Sequence, residues 1–168
     1  MKISFIVLTY NRSETLLPVL RSLAAQCNAQ HEVLVADDGS NSAQVALLKR
    51  DCPAFKCRAL HVWHPDTGFT ASAARNLGAL HSQGEYLVFL DGDCVPGNSF
   101  VAAHTLLAQR GYFVNGSRVL LSERLTSQVV SAEVDLPGKS VSFWLWAWLR
   151  GDSNKLLHML TWPWSLFR

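Results

Sequence analysis

No stretch of this chain reaches the run of about 18 apolar residues that a membrane-spanning helix requires. Its most tryptophan-rich segment, residues 141–149, is half that long. The Gly-x-Gly-x-x-Gly and Walker patterns are also missing, which argues against a dinucleotide-binding dehydrogenase and a P-loop NTPase. Cysteine is sparse: Cys27, Cys52, Cys57 and Cys94 match no zinc spacing and are too few for a disulfide scaffold of this length. They are expected to be reduced and mostly buried, as in a cytoplasmic protein. An excess of one charge is lacking too. Fifteen Lys and Arg against 13 Asp and Glu leave a net charge of +2, too mild for electrostatic nucleic-acid binding, so no nucleic-acid partner is expected. The apolar start ends at Asn11-Arg12 with no small-residue cleavage site, so it fits a buried strand better than a signal peptide.

What is present is enough apolar character to fold. Hydrophobic residues make up 49% of 168 positions, which excludes disorder and supports a single core. Residues 3–9 form a β-branched apolar run suited to a strand covered on both faces. Ser13 is expected to cap a helix whose stripe is Leu16, Leu20, Leu23, Ala24 and Cys27. Further strands are predicted over 31–36, 56–62, 85–90 and 112–114. Helices are predicted over 42–50, 69–81 (closed by Gly84) and 98–109. Strand and helix alternate four times, the pattern of a parallel sheet with helices on both faces. Right-handed crossovers bring every strand's carboxyl end to one edge, where ligands of open α/β sheets sit. Three polar clusters fall at those ends: Tyr10-Asn11, Asp37-Asp38 and Asp91-Gly92-Asp93.

Each cluster carries two readings. Asp91 and Asp93 flank a glycine after a buried strand, so both carboxylates can point into a cleft and hold Mg²⁺ or Mn²⁺ against a phosphate. The plainer alternative is an Asx-type turn. Asp37-Asp38-Gly39-Ser40 can accept hydrogen bonds from a base or a ribose, or form a turn in which Ser40 or Asn41 caps the next helix. Arg75, on a small apolar helix face, needs an anionic partner: a diphosphate, or an ion pair with Asp37 or Asp91. The six histidines show no ligand spacing and are expected on surfaces and helix faces.

Ile6-Val7-Leu8-Thr9-Tyr10-Asn11-Arg12, Ala36-Asp37-Asp38-Gly39-Ser40, Gly68 through Ala74-Arg75-Asn76-Leu77-Gly78, and Phe89-Leu90-Asp91-Gly92-Asp93 occur in one order and spacing. In this the chain resembles family 2 glycosyltransferases over residues 2–120. The resemblance implies a GT-A fold, an α/β Rossmann-like, mostly parallel sheet flanked by helices. It further implies that Leu8, Thr9 and Tyr10 line uracil and ribose, with Asn11 and Gly92 in the same site, and that Asp38 contacts the base. Arg75 would face the diphosphate. Asp91 would hold the ribose side and join Asp93 at the divalent metal, Mn²⁺ or Mg²⁺. The implied reaction is inverting transfer of a sugar from a nucleotide diphosphate sugar, UDP-linked, to a glycan or lipid-linked acceptor in cell-surface polysaccharide synthesis. Two departures stand out. Arg12 replaces the family's usual acidic residue after Tyr-Asn, and no expected general-base motif follows Asp93. Glu133 and Asp135 are the first candidates for that base, and the catalytic residue stays unassigned. The chain reads as a donor-binding half, truncated relative to the family. The alternatives are a non-catalytic nucleotide-sugar-binding or assembly module and a nucleotidyltransferase, though residues 9–14 contain no glycine for the latter.

The domain expectation is a nucleotide-sugar-binding domain over 1–121 and an acceptor-side, amphipathic segment over 122–168. Residues 133–140, with Pro137-Gly138, read as a loop. Beyond it Trp144 and Trp148, then Leu156, Leu157, Leu160, Trp164 and Phe167, fall at helical spacing beside Lys139, Arg150, Lys155 and Arg168. A Trp-rich helical tail of this kind suits a bilayer interface or packs against another protein surface. The expected location is the cytoplasm, peripheral at the inner face of the membrane, with a homo-oligomer as a further expectation.

Overall fold

The computed structural model describes residues 1–155. The chain divides into two compact units, Met1–Val114 and Asn115–Arg168.

The first unit is built on four strands: β1 (Ile3–Thr9), β2 (His31–Asp37), β3 (Arg58–Trp63) and β4 (Tyr86–Asp91). They form one parallel sheet in the order β3-β2-β1-β4. Between them run α1 (Ser13–Gln26), α2 (Ser42–Asp51) and α3 (Ala71–His81), and α4 (Phe100–Leu107) follows β4. The sequence pattern explains the placement. β1 and β2 are central, and all but one of their residues are buried, as continuous apolar runs demand. On one face Phe5, Val7, Val33 and Val35 pack with Leu16, Leu20 and Leu23 of α1, Leu48 and Val101. On the other, Ile6, Leu34 and Ala36 pack with Ala74 of α3. Close approach there is set by Gly78, where a Cβ would lie 2.9 Å from Ile6.

Several local expectations fail for physical reasons. Ser13 is the first helical residue, not the cap: its hydroxyl donates to the Gln44 carbonyl (2.8 Å), and Arg12 stands at the cap without a side-chain bond. Helix α3 ends at a Ser82 cap, and Gly84 instead passes so close to Ser4 that a Cβ would overlap it. Residues 112–114 form no strand; Tyr112 and Phe113 lie exposed. The cysteines are free, but only Cys27 is buried, and Cys52 is exposed. Burial pushes the Cys27 thiol up to about 12.

The second unit contains α5 (Glu123–Val130) and α6 (Val141–Leu149). Ser122 and Ser140 cap them by accepting the N–H groups of Leu125 and Phe143. Its small core is Leu125, Trp144 and Ala147. Trp144 is therefore 5% exposed, inside rather than on an outward stripe. Helix α6 stops at Arg150, before Gly151 in the left-handed region (φ 73°). The expected continuation through Leu156, Leu157, Leu160, Trp164 and Phe167 lies outside the described residues. No helix among the described residues is long and apolar enough to cross a membrane.

Candidate functional site

The order β3-β2-β1-β4 reverses direction at β1, so the crevice beyond the carboxyl ends of β1 and β4 is the topological switch point of the sheet. Leu8 and Asp91 are register partners there. The turn after β4 presses on β1: a Cβ on Gly92 would lie 2.5 Å from the Leu8 carbonyl oxygen. Only glycine lets that turn pass, so Asp91 and Asp93 are held on either side of a backbone contact.

Arg75 projects from α3 to the same place. Its Nη2 lies 2.7 Å from Asp91 Oδ1, and both side chains keep substantial exposure. Of the two ion-pair partners the sequence allows, the structure selects Asp91. One donor atom each from Asp91, Asp93 and Cys94 lie within 4.8 Å of one another. The Cys94 thiol also donates to Asp93 Oδ1 at 3.5 Å. Two carboxylates at this spacing fit a hard divalent cation, and the sulfur adds a softer third donor.

Thr9 is buried, Tyr10 is half-exposed, and Asn11 takes a left-handed backbone (φ 49°) that carries the chain from β1 into α1. Tyr10 donates its hydroxyl to Asp66 Oδ2 (2.9 Å). That bond to an anion raises the Tyr10 pKa, while Gly68 N–H and Tyr10 lower that of Asp66.

The two aspartates after β2 differ from a free ligand pair. Asp37 is 1% exposed; its Oδ1 accepts the Ser40 N–H (2.8 Å) and its Oδ2 lies 2.8 Å from His61 Nε2. Burial alone would raise its pKa, but the bonds from His61 and Ser40 outweigh it and hold the carboxyl below its ordinary range. Asp38, 2% exposed, spends its oxygens on Thr70: Oδ2 accepts the Thr70 N–H (3.0 Å) and Oδ1 its hydroxyl (2.5 Å). His64 Nε2 stands 3.2 Å from Asp38 Oδ1 but lacks hydrogen-bonding geometry to it. Asp38 thus ties residues 64–70 to the sheet edge. Gly39 (φ 94°) completes the contact, because a Cβ there would lie 2.6 Å from the Asp66 backbone. Ser40 is not the cap of α2; Asn41 is, accepting from Ala43 and Gln44 N–H.

The structure therefore brings Leu8, Thr9, Tyr10, Asn11, Asp38, Arg75, Asp91, Gly92 and Asp93 to one edge of one unit. It adds His61, Trp63, His64, Asp66 and Thr70, which sequence reasoning missed. The histidines are not simply superficial. His31 is buried, its Nδ1 accepting the Asn28 N–H, and His104 packs against Phe5 and Phe100, with burial lowering both pKa values. Glu133 and Asp135 belong to the second unit and are exposed. Asp152 there is buried and engaged by Ser122 and Arg124, which lower its pKa.

Known proteins share parts of this sequence and its fold. The family described as Glycosyl transferase family 2 matches residues 4–130. Glycosyltransferase AglE of Haloferax volcanii is 29% identical over 143 residues, covering 84% of this chain and 40% of that protein. Validoxylamine A glucosyltransferase of Streptomyces hygroscopicus subsp. jinggangensis is 33% identical over 108 residues, covering 61% and 25%. Among solved structures, the mannosyltransferase PcManGT of Pyrobaculum calidifontis in complex with GDP-Man and Mn²⁺ superposes with a TM-score of 0.55 at 22% identity, over 76% of this chain and 38% of that one. S. aureus TarS 1-349 in complex with UDP-GlcNAc gives 0.53 at 22% identity, over 70% and 38%. These structures share the fold. The chain spans about two fifths or less of the proteins it matches.

Proposed function

Because the chain belongs to glycosyltransferase family 2, with its GT-A type α/β fold, we propose that the switch-point crevice binds the nucleotide diphosphate of a sugar donor, UDP-linked, in an inverting transferase. The observation that carries this reading is that Arg75 of α3 meets Asp91 at the end of β4, where Asp91 and Asp93 bring their carboxylates together and Leu8 of β1 is the register partner of Asp91. A guanidinium and paired carboxylates are what a diphosphate with its divalent cation needs. Leu8, Thr9 and Tyr10 are proposed to line base and ribose. Asp38, bonded to Thr70 through both oxygens, would contact the base through a remaining lone pair. Asn11 and Gly92 are proposed to border the same site, Asp91 would face the ribose side, and Asp93 with Asp91 would hold Mn²⁺ or Mg²⁺.

A divalent cation held by Asp93 and Asp91 would neutralise charge developing on the departing diphosphate. The chain's own residues orient the donor: Arg75 turns from Asp91 toward the phosphates, and Tyr10, anchored on Asp66, borders the base. In the transfer, an acceptor hydroxyl oxygen bonds to the anomeric carbon from the face opposite the leaving group. The bond from that carbon to the diphosphate oxygen breaks, and the hydroxyl proton passes to a general base. The residue that takes that proton is unassigned; Asp152 of the second unit is occupied by Arg124 and Ser122.

We divide the labour as donor binding over 1–121 and acceptor side over 122–168. The acceptor would be a glycan or lipid-linked sugar at the inner face of the membrane, in cell-surface polysaccharide synthesis. The test is calorimetric titration with a panel of nucleoside diphosphates, with and without Mn²⁺. UDP should bind in a metal-dependent way, and Asp93→Asn should weaken it about tenfold or more, as loss of a charged ligand implies. Equal affinity of Asp93→Asn for UDP–Mn²⁺ would remove Asp93 from the metal. A chain that binds UDP as well without any cation would overturn the metal-bridged reading.

A further inference from the structure

His61 is not among the residues assigned to the donor site, yet it is bonded into the scaffold beneath it. In the β2–β3 register His61 pairs with Val35 and Trp63 with Asp37. Strand alternation then puts His61 and Asp37 on one face as diagonal neighbours, and their side chains meet at 2.8 Å. Asp37 is ionised and buried, and an ionised carboxylate only accepts hydrogen bonds, so His61 Nε2 carries the proton. The second Asp37 oxygen takes the Ser40 N–H at 2.8 Å. Ser40 Oγ takes the Asn11 N–H at 2.8 Å, and the Ser40 carbonyl takes the Trp63 indole N–H at 3.0 Å. Asn11 Oδ1 in turn accepts the Asn41 N–H at 2.9 Å. Asn11 is one of only two non-glycine residues among the described residues with positive φ. Such a backbone persists where surrounding bonds determine it, and this relay supplies them.

We propose that His61 is a positioning residue for nucleotide recognition: through Asp37 and Ser40 it fixes Asn11, and with it the course of Thr9-Tyr10-Asn11 past the crevice. Removing its proton donor would leave a buried anion short of a partner, and Asp37 would then relax at the expense of Ser40. The loop would lose its preset shape and nucleotide binding would have to restore it, which lowers affinity. This inference rests on the donor-site reading above.

The experiment uses the whole chain, UDP with Mn²⁺ as the probe, and amide spectra of the ligand-free protein. His61→Leu should weaken UDP about tenfold and shift the Ser40 and Asn11 amide resonances before any ligand is added. His61→Gln, whose side-chain Nε2 can donate to Asp37, should stay within about twofold of the parent. Ser40→Ala, which cuts only the last link, should weaken UDP and move the Asn11 amide even if His61→Leu fails to fold. Unchanged Ser40 and Asn11 amides in His61→Leu would overturn the relay. So would a His61→Gln variant as weak as His61→Leu, since that outcome assigns His61 to packing. If the parent itself binds no nucleoside diphosphate, the donor-site reading fails, and the ligand-free amides still decide the relay.

Discussion

Arg75 has an anion beside it, Asp91 at 2.7 Å, and a second kind of anion is proposed for the same crevice. The pair is a third or more exposed on both sides, so by itself it contributes little to stability, about 0–1 kcal/mol. Its larger consequence is for binding: a guanidinium already held at the crevice can exchange one carboxylate for a diphosphate at low entropic cost. Arg75→Ala should therefore leave the melting temperature nearly unchanged and weaken UDP more than uridine, measured by titration of both. Equal losses for the two ligands would make Arg75 purely structural. At this scale the sequence showed the carboxylates and Arg75, because acidic clusters after apolar runs announce strand ends. It did not show His61, His64, Asp66 or Thr70. Their roles arise from cross-strand register and from a loop folding back over Gly39, neither of which leaves a local pattern.

Among the elements, β1, β2 and β4 were legible because their apolar runs are continuous, and α3 because small residues recur along one face. Ser13 and residues 112–114 carry sequence patterns that the structure does not follow. A serine before an apolar stripe looks like a cap until Gln44 competes for its hydroxyl, and the short aromatic run after the left-handed Gly111 (φ 83°) stays outside the sheet although β4 is an edge strand. β2 also hides a feature no periodicity predicts, a fully buried Glu32 in the central sheet. Ser4 donates to it (2.6 Å), as do the Gln83 and Gly84 N–H groups, and Arg58 pairs with it at 2.5 Å. Burial opposes ionisation, but these bonds prevail and lower its pKa, as happens for Asp37 in the same strand. The unfolded values are about 4.3 and 3.9. With folded values below those, both groups add stability that is full above that range and lost as pH falls through the folded values. Thermal melts should thus drop on acidification below about pH 4. Arg58→Met should cost about 1–2 kcal/mol at neutral pH, less than a wholly buried pair, because Arg58 is partly exposed and three other donors remain. Its deficit relative to the parent should close as Glu32 protonates. A deficit that is constant with pH would show that Arg58 acts by packing alone.

For the molecule as a whole, two units carry two kinds of surface. The edge of Met1–Val114 gathers charge and hydrogen-bonding groups, as a nucleotide site requires. In the described part of Asn115–Arg168, α6 gathers aromatics. Trp144 and Ala147 face inward, leaving Val141, Leu145, Trp146, Trp148 and Leu149 between 42% and 62% exposed. Lys139 lies 5.5 Å from the Phe143 ring centre and Arg150 lies 5.7 Å from that of Trp146. The sequence showed this segment's composition but not its inner face, since Trp144 is as apolar as its neighbours and only packing on Leu125 distinguishes it. Exposed tryptophan flanked by cations matches the headgroup region of an anionic bilayer, where each basic residue adds about 1 kcal/mol. The chain should co-sediment with anionic vesicles more than with zwitterionic ones. At about 1 M salt, where the screening length falls to about 3 Å, that preference should disappear while residual apolar binding remains. Trp146→Ser combined with Trp148→Ser should reduce binding to both vesicle types and leave the melting temperature within a few degrees of the parent, because neither ring is in the core. Equal binding to the two vesicle types at low salt would sink the electrostatic part. Binding untouched by the double substitution would remove α6 from the contact, leaving its aromatic face as a surface for protein.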